Sequence, residues 1–143
     1  MRHELIAEVS EWMQKAANDI RSAEVDLTAE PKLLEDVAFH AQQAAEKSIK
    51  GFLTFHSRPF RKTHDIEELG TNAVKIDPAL EPLIRKASVL TPFAWQFRYP
   101  GDSSEPEEED AVSLLNISKE VYDTVLSHLP HEVRDRLSQK STK

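Results

Sequence analysis

No cysteine occurs among the 143 residues. Disulfides and thiolate metal sites are therefore excluded, and a reducing cytoplasm is the expected location. Glycine is scarce too, with three in the chain, and nothing resembles a phosphate-cradling loop, a dinucleotide-binding turn or a nucleophile elbow. No run of alternating apolar residues lies between turn signals, which argues against a sheet. No segment approaches the roughly 20 apolar residues that span a bilayer. The opening MRHELIAEVSEWMQ is broken by charges and lacks the apolar core of a signal peptide. A soluble protein with no metal and no cofactor is expected. Net positive charge is missing as well. The formal balance of −7 argues against attraction of nucleic acid to the whole surface, though not to a local patch. Six acids fall between Asp102 and Asp110, whereas Arg58, Arg61 and Lys62 cluster in one short stretch.

What the chain does contain is helix-forming: Ala, Leu, Glu and Lys in abundance, enough for a single core and one domain. The central stretch is FHAQQAAEKSIKGFL, residues 39–53. At helical spacing Val37, Ala38, Ala41, Ala44, Ala45, Ser48, Ile49, Phe52 and Leu53 form one stripe, narrow in the middle, where a partner helix can approach closely. The opposite face carries Gln42, Glu46, Lys47 and Lys50, with Glu46 and Lys50 at the favourable spacing of four, so this helix should pack on one side. Before it, an apolar face from Leu5 to Leu27 predicts a helix over 4–27. Thr28-Ala29-Glu30-Pro31 makes the turn, with Pro31 suited to the first turn of the second helix. That helix runs to about residue 55 as an antiparallel neighbour of the first.

Residues 56–62 form a loop, and Thr63 is the expected N-cap of a short third helix ending before Asp77-Pro78. A fourth helix from about residue 79 presents Leu80, Leu83, Ile84, Ala87 and Leu90 and stops or kinks at Pro92. Phe93, Trp95, Phe97 and Tyr99 crowd the next connection, an aromatic patch of the kind that marks an interface and predicts a homodimer. Ser104 and Glu107 read as a capping box for a fifth helix reaching about residue 129. A sixth helix over 131–139 follows Pro130. The expected domain is 4–129, with 130–143 a short extension whose end is disordered. Helices 1, 2, 4 and 5 would be the pillars of an all-α, up-down four-helix bundle, bridged by the short third helix.

FHAQQAAEKSIKGFL, then KTHDIEEL at 62–69, then FRYPG at 97–101 resemble, in that order, the HEPN family of small helical domains. The resemblance implies the same bundle. It also implies the helical partner of a nucleotidyltransferase-type protein in a prokaryotic toxin–antitoxin or stress module, associated with a nucleotide or single-stranded RNA. HEPN proteins that cut RNA without metal resemble one another in an Arg-x4–6-His motif near the start of the last long helix. There the histidine moves the proton and the arginine stabilises the phosphate. In this chain the histidine that follows Arg98 is His128, far outside that spacing.

Two clusters are candidates for a site. Arg98 offers a planar fork to a phosphate, with Tyr99 as a stacking ring and Gly101 permitting close backbone approach; the bland alternative is an arginine that satisfies helix carbonyls. Arg58 and His64 fit Arg-x5-His by spacing but lie between helices 2 and 3, where a chance match is the plainer account. With Arg61 and Lys62 they would form an anion-binding corner at the third helix's N-terminus, against the alternative that His64 only tethers a loop. Three functions follow: a nucleotide- or RNA-associated module, a metal-independent endoribonuclease using Arg98 or the Arg58/His64 pair, and a non-catalytic protein-interaction domain. His128 and His131 straddle Pro130 and are not a metal pair. Trp12, Phe39, Trp95 and Phe97 read as core or dimer contacts, and His40 as an exposed or interhelical residue.

Overall fold

Alanine and serine along one face let the second helix sit deeper than any other element. The computed structural model describes residues 1–94 and 105–141. Its helices are α1 (Arg2–Asp26), α2 (Leu34–Phe55), α3 (Ile66–Ile76), α4 (Glu81–Ala87), α5 (Glu108–Ser127) and α6 (His131–Ser141). Among the described residues there is no strand, and no helix is long and apolar enough to cross a membrane. Every residue of the predicted α2 stripe is buried. α1 lies antiparallel along it, since Met13 approaches Gly51 at one end and Ala23 clusters with Val37 at the other. α5 covers another side, with Ala111 and Leu115 beside Val37 and His128 edge-on to Phe52.

The other face of α2 differs from expectation. Gln42, Glu46 and Lys50 are buried with it, at 0, 3 and 6% exposure. α2 is thus packed on more than one side, because the connection after it folds back: Phe60 meets Trp12 and His64 reaches Glu46.

Several boundaries shift for local reasons. Pro31 lies in the first connection, where Leu33 N–H bonds to the Asp26 carbonyl, and α2 starts only at Leu34. Asp65, not Thr63, caps α3, its Oδ1 accepting from Glu67 N at 2.9 Å and Glu68 N at 3.3 Å. Thr63 Oγ1 instead accepts from Asp65 N. α4 has seven residues between two 3-10 segments, Pro78–Leu80 and Ser88–Ala94. It is a short piece where a long pillar was expected, since Ser88 Oγ bonds back to the Ile84 carbonyl and Pro92 removes a donor further on. Glu107 is itself the N-cap of α5 rather than the third residue of the helix, and makes no side-chain capping bond; Ser104, the expected cap, lies outside the described residues. Glu108, Glu109 and Asp110 then supply the acidic first turn that the helix dipole favours.

α6 packs back on α1. Val133 and Leu129 are buried in the main core, and Arg134 Nη1 donates to the carbonyls of Leu126 and Leu129 at 3.0 and 3.1 Å, closing the end of α5.

Candidate functional site

Residues four apart on a helix stack along one face, and Gln42, Glu46 and Lys50 make such a ladder on α2. Lys50 Nζ donates to Glu46 Oε2 at 2.8 Å, and Gln42 Nε2 donates to Glu46 Oε1 at 3.0 Å. A buried carboxylate needs partners of this kind, because desolvation of an unpaired charge is costly. The third partner comes from across the loop: His64 Nδ1 lies 2.8 Å from Glu46 Oε1. A carboxylate only accepts, so Nδ1 carries the proton and Nε2 is left as a lone pair in the neutral ring, or a second donor in the charged one. Gln42 Nε2 also donates to the His64 carbonyl at 3.1 Å, pinning backbone as well as ring. The His64 side chain nonetheless keeps 63% of its surface exposed. On the other side Lys50 Nζ stands 5.5 Å from the Trp12 ring centroid and 5.8 Å from that of Phe60, within cation–π range.

The expected corner is only partly available to a ligand. Arg61 spends its guanidinium on Glu68, with Nε at 2.8 Å from Oε2 and Nη2 at 2.7 Å from Oε1. The α3 amides of Glu67 and Glu68 are taken by Asp65, and that of Ile66 by Thr91 Oγ1. Arg58 is half-buried and Lys62 exposed; among the described residues neither has a carboxylate partner. The groups of the corner that remain are therefore His64 Nε2, the half-buried Arg58 and the exposed Lys62. Arg98, Tyr99 and Gly101, the other candidates, lie outside the described residues.

The family model for the HEPN domain matches residues 9–129. The chain belongs to the HEPN domain family. Searches of curated proteins and of solved structures return no match.

This HEPN chain holds a second buried carboxylate that spacing alone does not reveal. Asp19 of α1, 8% exposed, accepts from Lys47 Nζ at 2.6 Å and lies 2.7 Å from His40 Nδ1. The hydrogen bond to Asp19 raises the pKa of His40 against the opposing effect of burial, with Asp26 and Asp36 adding to the rise. Next to Lys47 a groove of about 340 Å³ opens between α1 and α2, lined by Glu8, Glu11, Trp12, Lys15 and Lys47. Trp12, expected in the core or a dimer contact, is half-buried at its edge. Among the described residues no three His, Asp or Glu side chains are placed to hold a metal ion. His128 instead bonds Asp77 at 3.1 Å, and His131 lies 3.6 Å from Glu132.

The partners that sequence reading did not connect to His64 are Glu46 and, through it, Lys50. Their spacing was visible, but charge alone places such residues in solvent. The one available signal was the run Gln42, Glu46, Lys50 on a helix already marked as central.

Proposed function

We propose that this HEPN domain takes up a phosphate-bearing nucleotide, or a stretch of single-stranded RNA, at the corner between α2 and α3. In this reading it acts in the cytoplasm as a homodimer and as the helical partner of a nucleotidyltransferase-type protein in a toxin–antitoxin or stress system. One observation carries the ligand reading: His64 is oriented by a buried carboxylate, and its Nε2 faces outward in the connection that carries Arg58 and Lys62. A protonated Nε2–H and two cations suit phosphate oxygens. Family membership supports the nucleotidyltransferase pairing; of the aromatic run, Phe93 packs against the chain's own core, so the dimer is supported by Trp95, Phe97 and Tyr99 as sequence, which lie outside the described residues. Arg98 is retained as a further phosphate contact.

The same geometry favours the endoribonuclease as a second reading. A neutral imidazole held through Nδ1 presents a base at Nε2, and Arg58 stands at the Arg-x5-His spacing. Calorimetric titration of AMP, ATP and a short RNA into wild type, Arg58→Ala, His64→Ala and Arg98→Ala tests the binding reading, with a metal-free cleavage assay beside it. Weakened binding in Arg58→Ala and His64→Ala is expected; equal binding by all four proteins overturns the corner. Cleavage lost in His64→Ala selects the endoribonuclease, and absence of both binding and cleavage leaves the protein-interaction domain. Sedimentation showing only monomer at micromolar concentration removes the homodimer.

A further inference from the structure

A phosphate held at His64 would leave the rest of a nucleotide to lie against a neighbouring surface, and the structure offers a built one. Trp12 contacts Phe60 edge-on, with ring centroids 6.2 Å apart, and Phe60 belongs to the connection that carries Arg58, Lys62 and His64. Lys50 makes a second link. Its ammonium is 5.5 Å from the Trp12 centroid and 2.8 Å from Glu46, the carboxylate that orients His64. Through Phe60 and the buried Lys50–Glu46 pair, the Trp12 ring at the groove is thus tied to the corner at His64.

We infer that the groove between α1 and α2 is a nucleobase subsite, in which Trp12 stacks on the base of a nucleotide whose phosphate sits at His64. The inference rests on the reading of His64 as a phosphate contact. The groove volume of about 340 Å³ falls in the lower part of the range usual for small-ligand sites, about 300–1,000 Å³. A ring fixed by a buried ammonium that touches it and by the edge-on contact with Phe60 is preorganised for stacking, and stacking accepts any base because every base has a π-face. The remaining lining adds selectivity. Glu8 and Glu11 only accept hydrogen bonds, so they favour bases bearing amino donors, adenine among them, and give uracil less. Lys47 is held by Asp19, whereas Lys15 is exposed and has no carboxylate partner among the described residues. It adds a positive charge to the groove wall.

The test uses the full chain with Trp95→Phe, which leaves Trp12 as the single remaining tryptophan of the two. AMP, UMP, adenosine and inorganic phosphate are titrated while its emission is followed, and calorimetry repeats the series. AMP should quench Trp12 saturably, adenosine should quench with weaker affinity, and phosphate should displace AMP without quenching. Trp12→Leu should weaken AMP by about tenfold or more, the value of one stacked base, and leave phosphate affinity unchanged. Should Trp12→Leu unfold, the Glu8→Gln/Glu11→Gln protein serves instead: it should lose the preference for AMP over UMP while melting as wild type does. Quenching by adenosine that survives His64→Ala, with no phosphate binding, upholds the base subsite and removes the phosphate reading. AMP binding that depends on His64 but leaves Trp12 emission unchanged and is indifferent to Trp12→Leu overturns the subsite and keeps the phosphate reading. Absence of any nucleotide or nucleoside binding overturns both.

Discussion

Glu46 accepts from Gln42, Lys50 and His64 at once, with 3% of its surface exposed. Its worth to stability depends on what replaces it. Glu46→Gln keeps the shape but leaves the Lys50 ammonium, itself 6% exposed, without a counter-charge. Breaking one side of a buried pair costs about 3 kcal/mol or more, whereas replacing both partners by apolar groups of similar size is often neutral or better. Urea denaturation should therefore show Glu46→Gln strongly destabilised and Glu46→Met/Lys50→Met close to wild type or above it. Equal losses in both proteins would mean that the charges themselves stabilise the fold. The Asp19 cluster offers a different readout. Bonding to Asp19 raises the pKa of His40 above its usual 6.5. A raised histidine pKa adds stability that is fully present below the unfolded-state value and lost as pH rises through the folded one. His40→Gln keeps a donor near Asp19 but does not titrate. The gap in melting temperature between wild type and His40→Gln should be widest in acid and close as pH climbs past the raised pKa. A gap that widened with pH would reverse the assignment.

α2 was readable from sequence because its alanine stripe reports burial directly: an apolar period of 3.6 has few other causes. Its far face was not, since Gln42, Glu46 and Lys50 become buried only through a loop that returns 18 residues later to place His64 on Glu46. The cap of α3 shows the same limit. Thr63 and Asp65 are both good caps, and Thr91 Oγ1, bonded to Ile66 N, helps to settle the choice from 25 residues away. His64 and Arg58 could thus be singled out by type and spacing, while the carboxylate that orients His64 could not. α3 and α4 meet where a side chain is missing. A Cβ on Gly70 would overlap Ile84 Cγ2 and come within 3.1 Å of Cδ1. Gly70→Ala gains about 1 kcal/mol in helix propensity, yet the overlap should win, with a net loss of about 1–3 kcal/mol by denaturation. In the Ile84→Ala background the new methyl enters the space vacated, so the two changes should couple favourably by about 1 kcal/mol. Additive losses would show that the helices do not meet there in solution.

The chain as a whole carries a formal charge of −7, and the acids that open α5 add to a field that repels polyanions. Such a protein binds an extended RNA poorly unless a basic track runs along it. The corner at His64 provides no track: Arg61 is neutralised by Glu68, which leaves Arg58 and Lys62 as its fixed cations beside the His64 ring. One or two phosphates is the capacity of that arrangement. The number of phosphates neutralised sets the salt dependence, with a slope of about −0.7 per phosphate for single strands in a plot of log affinity against log salt. Short RNA should accordingly show a slope of about −1, and lengthening the strand from a dinucleotide to a twenty-mer should add little affinity per site. Fluorescence anisotropy of labelled RNAs across a salt series measures both. A slope several times steeper, or affinity that grows with strand length, would place a second set of cations on the path of the RNA. The corner between α2 and α3 would then be the end of a longer binding surface.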